Sequence, residues 1–350
     1  SSKDEEDAYY EKYWRKIENL VSQDSKKLEA FFRFFLMAKL QQVINKSAVY
    51  RAFVSWYEEN KHSIGDEKIL QTIVEYASYY NHIYVEDINS IEKPLQMPLQ
   101  EFREIRTDMP IPLILELYSL TKQKNATGHV LVSINQMAGI ITMLNSYLMR
   151  RALAGMDTSD ISRYFPTLLK DVLTDCDGKY EQLVRSFKKN LINRNRGNSQ
   201  SMPDDKILAD RVRYANMYSL RLWLLIFFRK LEMQNNSAPI DFSALSVEHL
   251  MPQTPTSDWL QALNVDKELY EQNLHRLGNL TLASRSDNSK MGNKVWGYKN
   301  QILASTAHLK MNIDVLSVEK WNIEAIEERT TTLINKMIEL SKTYVCKTTC

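Results

Sequence analysis

The chain has 350 residues, and its 45 Lys and Arg nearly balance its 43 Asp and Glu, for a formal net charge of +2. That balance excludes a protein that is basic along its whole length, such as a histone-like DNA-binding tail, but it permits a local basic patch. With 44% hydrophobic and 25% charged residues, the composition is that of a globular protein with two or three domains. The 9 glycines are few for a glycine-rich nucleotide-binding loop or for the turns of an all-β fold, which favours helices.

The cysteine pattern and the absence of targeting signals predict a cytoplasmic protein. Cys176, Cys346 and Cys350 form no CxxC pair, so neither a disulfide framework nor a four-cysteine zinc site is expected. The acidic start, SSKDEEDAYY, does not resemble a signal peptide, and the longest apolar stretch, at 222–228, is too short to span a bilayer. Because the chain begins without Met in a charged run, we expect it to be a fragment of a longer protein.

The first two thirds of the chain show helical periodicity. Apolar residues recur every three or four positions, as in Tyr10, Trp14, Ile17 and Leu20, and we assign the aromatic stripes to core packing. The proline-containing stretch at 85–112 predicts a break between two helical subdomains. The apolar run at 207–231 predicts one central buried helix.

The predicted domain organisation follows from a change in the sequence pattern after residue 234, where helical periodicity gives way to a linker and short strand-like segments. Residues 234–241 have the composition of a linker, which predicts a helical domain over 1–235 and a second domain over 236–350. In the second domain we predict short strands at 245–250 and 279–284. A helix capped by Asp287 and running to about residue 304 follows, and a packing helix over 322–340 ends the domain. The predicted fold class is therefore mainly α, with a small α+β unit at the C-terminal end.

A basic run lies in the predicted helical domain. Residues 185–196 contain no acidic residue but include Arg185, Lys188, Lys189, Arg194 and Arg196. The run is either the solvated end of a helix or a patch that contacts phosphates.

Polar residues with ordered spacing mark the two predicted strands and the helix after them. Glu248 and His249 end the first strand, Asn279 opens the second, and Asn288 opens the helix. Two antiparallel strands and a helix can bring His249 and Asn288 to one metal ion. A neutral imidazole can take a proton from water, and the oxygens of Glu248 and Asn288 suit a hard cation, Mg²⁺ or in its place Mn²⁺. This chemistry fits phosphodiester hydrolysis.

Three ordered motifs carry a resemblance to a known family. The strings EHLMPQ, RLGNLTLAS and DNSKMGNKVWGYK, followed by Trp321, Ile326 and Arg329, resemble the HNH-type (ββα-metal) nuclease domain of GmrSD-like proteins, over about residues 240–345. Those proteins are modification-dependent (type IV) restriction and anti-phage defence nucleases. Residues 1–233 resemble the helical region that precedes this nuclease. The family's NTPase-like N-terminal half, marked by an Asp-Gly-Gln-Gln-Arg run, is not in this sequence, so the resemblance implies it as a partner.

The resemblance implies a role for each motif residue. His249 would be the general base, Asn279 would brace the loop through its side chain, and Asn288 would be a metal ligand on the helix. Glu248 stands where related nucleases place a metal-binding acid, and its longer side chain leaves direct ligation and support through water both open. No cysteine pairs bracket the motif, so zinc is not expected.

The local charge agrees with a phosphate-binding surface. Residues 272–310 contain six basic residues and one acidic residue. Lys299 lies three helical turns after Asn288 on the predicted helix, so we expect it near the site. His275 could contact phosphate, but we expect it to be an ordinary surface residue. The predicted DNA-contacting residues of this domain are Arg276, Arg285, Lys290, Lys294 and Lys299.

Three functional hypotheses follow. The first is a metal-dependent DNA endonuclease of bacterial anti-phage defence, with DNA, phage DNA in particular, as its substrate. The alternative is a DNA-binding or regulatory module of a larger NTPase-nuclease whose nuclease core is inactive alone. A third is a nuclease acting on RNA, although the sequence offers no RNA-specific module.

Overall fold

The computed structural model of the protein describes residues 8–157, 161–194, 200–235, 240–305 and 309–346. Within these ranges the protein is mainly helical, with a two-stranded antiparallel sheet in the C-terminal part. This confirms the predicted fold class. No helix in the same ranges is long and apolar enough to cross a membrane. Residues 236–239 of the predicted linker, and Arg196 of the basic run, lie outside the described residues.

The described residues form two compact units. One unit contains those of Ser1–Asn145 and Asp157–Met202, and the other contains those of Ser146–Met156 and Pro203–Cys346. The helices at residues 205–235 thus pack in the second unit. The division into domains at residue 235 stays a prediction.

The first unit is built from helices whose apolar faces meet in an aromatic core. The Phe35 ring contacts Trp56 and Tyr76 at centroid distances of 5.0 and 5.1 Å, both edge to face, an arrangement that aromatic rings favour. Much of the aromatic content of these helices is therefore core, whereas Tyr10, Trp14 and Tyr50 are exposed. The α-helices up to residue 188 are α1 Arg15–Leu20, α2 Ser25–Leu40, α3 Val49–Ile64, α4 Asp66–Tyr84, α5 Lys93–Ile105, α6 Ile111–Lys122, α7 Ile134–Leu153, α8 Ile161–Cys176 and α9 Leu183–Lys188.

Two predicted boundaries in the helical part are wrong. The break expected at 85–112 contains α5, because Pro94 falls in the first turn, where the missing N–H has no helical partner. One face of α5 buries Leu95, Leu99 and Phe102, which offsets the cost of Pro98 inside the helix. The single helix expected at 207–231 is two, α10 Asp205–Tyr214 and α11 Arg221–Asn235, separated by a 3₁₀ turn.

The second unit contains the sheet. Strand β1 (Leu245–His249) pairs with β2 (Leu280–Ser284), with Leu245 opposite Ser284 and His249 opposite Leu280. Between the strands lie α12 (Ser257–Leu263) and α13 (Lys267–Leu274). After β2 come α14 (Arg285–Met291), α15 (Trp296–Ser305), α16 (Ile313–Leu316) and α17 (Ile323–Cys346).

The helix expected to run from Asp287 to about residue 304 is also two helices. Its N-cap is Ser284, whose Oγ accepts a hydrogen bond from the Asp287 N–H at 3.0 Å, so the helix begins three residues earlier than expected. It ends at Gly292, which has a φ of +40° and so takes a backbone conformation that favours glycine. The chain then turns into α15, which changes the direction in which Lys299 is presented.

Candidate active site

The site is built where β1 ends. Glu248 and His249 are its last two residues and are 5% and 4% exposed. Neighbouring residues of a strand point to opposite faces, so these two side chains meet different surroundings. The next residue, Leu250, donates its N–H to the Asn279 carbonyl at 3.0 Å, which fixes the chain as it leaves the strand.

Asn279 ties together the loops around the hairpin through its buried side chain. Its Nδ2 donates to the carbonyls of Met251 and Leu274, at 3.0 and 2.8 Å. Its Oδ1 accepts from the Met251 N–H at 2.7 Å and from the Trp321 Nε1–H at 3.1 Å. These four hydrogen bonds to four different groups indicate that Asn279 has a structural role. None of them involves Glu248, His249 or Asn288.

Glu248 forms a buried ion pair with Lys299 of α15. The Lys299 Nζ donates to Glu248 Oε1 at 2.6 Å and to the His249 carbonyl at 2.7 Å. The Lys299 side chain is 0% exposed and that of Glu248 is 6% exposed. Burial raises the pKa of Glu248, against the attraction of Lys299, and lowers the pKa of Lys299. Lys299 is therefore next to the site, as expected, but its ammonium is enclosed by protein and is not presented to a DNA phosphate.

His249 faces a second histidine and a tyrosine. Its Nε2 lies 3.0 Å from Nδ1 of His275, the residue after α13. The Tyr218 ring meets His249 edge to face at 4.6 Å and stacks on His275 at 5.6 Å. Burial, together with the charges of His275 and Lys299, lowers the pKa of His249 to about 3. The His249 imidazole is therefore neutral near pH 7, the form that can accept a proton.

Asn288 lies on α14 and holds that helix to β1. Its Nδ2 donates to the Val247 carbonyl and to the Ser246 Oγ, both at 3.0 Å. A carbonyl can only accept, so the amide nitrogen must face Val247, and the Asn288 Oδ1 points elsewhere. The amide group of Asn288 is thus held beside Ser246 and Val247 of β1 through its nitrogen.

The predicted oxygen donors for a hard cation at this hairpin are few. Within the described residues, no group of three or more His, Cys, Asp and Glu could hold a metal ion. What remains is the Glu248 carboxylate, one oxygen of which is paired with Lys299, and the Asn288 amide oxygen. Mg²⁺ commonly binds through one or two carboxylates and takes its other ligands from water and substrate phosphates. That Glu248 and Asn288 hold such an ion stays a prediction.

Three predicted DNA-contacting residues of the second unit lie at its surface. Arg285, Lys290 and Lys294 are exposed. Lys290 is 3.2 Å from Asp287, and the Lys294 ammonium lies 6.0 Å from the centre of the Tyr298 ring. An ion pair with an exposed lysine, such as that of Lys290, contributes little to stability.

Arg276 has a different environment from the one expected. It is 6% exposed, and its guanidinium pairs with Glu327, donates to Asn273 Oδ1 at 2.8 Å and lies over the Tyr214 ring. A guanidinium with these partners is held inside the unit. The expectation that Arg276 contacts DNA is corrected accordingly, since its charge joins α13 to α17.

The basic residues of the run at 185–196 differ in their exposure and in their ion pairing. Arg185 is exposed and Lys188 is partly exposed on α9, while Lys189 lies 3.1 Å from Asp175. A phosphate-contacting role for this run stays a prediction.

Two residues of the site were missed from the sequence. The sequence favours a surface position for His275 over a phosphate contact and does not predict its contact with His249, although it directly precedes the RLGNLTLAS motif. Tyr218 lies in the 3₁₀ turn before α11, and no sequence pattern links it to His249.

Residues 202–336 match the family model described as "GmrSD restriction endonucleases, C-terminal domain". This part of the chain is therefore similar to the C-terminal domain of GmrSD restriction endonucleases. The match begins well before residue 240, where the motif resemblance starts, and it takes in α10 and α11. No curated protein is significantly similar to the chain.

Proposed function

We propose that the second unit is a metal-dependent DNA endonuclease that hydrolyses phosphodiester bonds, with His249 as its general base. The observation that carries the proposal is that His249 and Asn288 are both fixed at β1. His249, whose imidazole is neutral near pH 7, ends the strand, and the Asn288 amide nitrogen donates to the carbonyl of Val247, two residues earlier. The family match supports the coarser assignment to a nuclease domain that acts on DNA.

The residues divide the work as follows. His249 accepts a proton from the attacking water as its oxygen bonds to phosphorus and the bond to the leaving oxygen breaks. Glu248 and Asn288 would hold one divalent cation, Mg²⁺ or Mn²⁺, which supplies charge neutralisation on the phosphate and the leaving oxygen when bound. Asn279 keeps the loop after β1 in place, and the exposed Arg285, Lys290 and Lys294 would contact the DNA backbone.

The family match also underlies the biological proposal. We infer that the chain acts in restriction of foreign DNA, phage DNA in particular, in the bacterial cytoplasm. An NTPase-like partner half would regulate it.

One observation favours the alternative of a nuclease core that is inactive alone. Lys299 already neutralises Glu248, the one carboxylate of the donor set. In that case the unit would bind DNA and await a partner before it cleaves.

A plasmid-nicking assay with Mg²⁺ or Mn²⁺ separates these proposals. We expect supercoiled DNA to become open-circular with the parent chain and with His62→Ala, an exposed histidine of α3 in the first unit. We expect no product with His249→Ala or with excess EDTA. Nicking by His249→Ala at the parent rate would show that His249 is not the base. Salt-sensitive DNA binding without cleavage in either metal would favour the alternative, and a parallel digest of RNA would test the third hypothesis.

A further inference from the structure

The contact between His249 and His275 restricts which ring nitrogen of His249 can act. Nε2 of His249 and Nδ1 of His275 are 3.0 Å apart, which is a hydrogen-bond distance, so one nitrogen donates and the other accepts. Among the described residues, this is the one hydrogen bond that the His249 ring makes. The proton between the two rings therefore decides the tautomer of His249.

Only one of the two arrangements leaves a base. If His275 Nδ1–H donates to His249 Nε2, the remaining proton of His249 is on Nδ1, and neither of its nitrogens can take another. If His249 Nε2–H donates to the lone pair of His275 Nδ1, Nδ1 of His249 is unprotonated and can accept a proton from water. The same hydrogen bond then persists in the imidazolium that forms, so His275 stabilises it.

The surroundings of His275 hold its acceptor nitrogen in place. Its carbonyl accepts the Met217 N–H at 2.9 Å, and the Tyr218 ring stacks on its imidazole with an angle of 12° between the planes. Tyr218 also closes over His249. The 3₁₀ turn at Met217–Leu220 thus fixes both rings of the pair.

We propose that His275 is a positioning residue that accepts a hydrogen bond from the Nε2–H of His249 and so keeps Nδ1 of His249 free as the base. Tyr218, stacked on His275, holds the His275 ring in the orientation that this hydrogen bond needs. This inference rests on the proposed nuclease function, because it assigns a role within the same site. It adds a requirement of its own, the Nε2–H tautomer of His249, which can be measured without any substrate.

Nitrogen NMR of the metal-free chain, with the imidazoles of histidine labelled, tests the tautomer directly. The His249 signals are identified by their loss in His249→Gln. We expect a protonated Nε2 and an unprotonated Nδ1 in His249. A protonated Nδ1 would overturn the inference whether or not the chain cleaves DNA. The expected tautomer in a chain that fails to nick DNA would instead refute the proposed function alone.

Two substitutions of His275 separate hydrogen bonding from packing. His275→Phe keeps a ring against Tyr218 but removes the acceptor, while His275→Asn places an oxygen where Nδ1 was but removes the ring. We expect His275→Phe to lower kcat by roughly 10- to 100-fold with KM nearly unchanged, and to mix the His249 tautomers. We expect His275→Asn to keep most of the activity. Equal losses in both variants, or none in His275→Phe, would contradict the positioning role.

Discussion

The ammonium of Lys299 lies 2.6 Å from the Glu248 carboxylate, and both side chains are almost completely buried at the end of β1. A buried pair costs desolvation energy on both sides, so its two halves depend on each other more than an exposed pair would. It also joins α15 to the strand that carries His249, because the same ammonium donates to the His249 carbonyl.

Removal of Lys299 alone should be more damaging than removal of the pair. We expect Lys299→Met to lower the free energy of unfolding by about 3–5 kcal/mol, because it leaves Glu248 buried without a counter-charge. The double variant Lys299→Met, Glu248→Gln should recover part of that loss. Urea unfolding followed by circular dichroism measures both, and a double variant less stable than Lys299→Met would contradict the coupling.

The bracing role of Asn279 predicts a stability defect. Asn279→Ala leaves the Met251 N–H, the Trp321 indole N–H and two carbonyls without their partner, and each unsatisfied buried group costs about 1–3 kcal/mol. We expect urea unfolding to show a loss of at least about 3 kcal/mol. The exposed Asn293→Ala is the matched control and should unfold with the parent. A fully stable Asn279→Ala would show that the four hydrogen bonds do not hold the loop.

Gly278 lies in the 3₁₀ turn that precedes β2, at a point where α17 packs closely against the chain. A Cβ there would lie 2.7 Å from the Thr330 nitrogen and 2.6 Å from its Oγ1, and closer still to the Ile326 carbonyl, all parts of the same helix. Because backbone cannot move aside cheaply, Gly278→Ala should displace α17 and strongly lower the melting temperature.

Gly297 of α15 gives the matched comparison, because a Cβ at this position meets no atom within 4 Å. We expect Gly297→Ala to stabilise the helix by about 0.5–1 kcal/mol. Equal melting temperatures for Gly278→Ala and the parent would contradict the close approach of α17.

Glu327 predicts a pH dependence of stability. Burial by itself would raise the pKa of Glu327, but hydrogen bonds and charges from Arg276 and Arg213 outweigh it and lower the pKa. A carboxyl with a lowered folded-state pKa stabilises the protein above its unfolded value of about 4.3, and that contribution is lost as the pH falls through the folded pKa. The stability gap between the parent and Glu327→Gln should therefore be widest near pH 7.

Urea unfolding at several pH values between 7 and 3 measures that gap. We expect it to shrink in the acid range, where the parent carboxyl takes up a proton and becomes as neutral as the amide. A gap that is constant over this range would mean that the two arginines do not recognise the charge of Glu327.

Local pattern was enough for much of the fold. The three- and four-residue spacing of apolar side chains marks α2, α3 and α4, because a helix repeats every 3.6 residues whatever surrounds it. The positions of β1 and β2 follow from short apolar runs, and the ordered motifs locate the GmrSD-like domain. Helix ends were less predictable, since Pro98 lies inside α5, whose buried apolar face offsets its cost, and that burial is not visible in the local sequence.

The sequence by itself determined that this protein is mainly helical, with a small unit in which a histidine and an asparagine come from neighbouring elements. Only the tertiary structure decided which charges are free. Arg276 is buried against Glu327 and Lys299 is buried against Glu248. Arg285 and Lys294 are residues of the same two types, but they are exposed. The partner of His249 is decided in the same way, because His275 and Tyr218 reach it through packing between segments distant in sequence. Burial and pairing depend on contacts across the chain, and local spacing does not encode them.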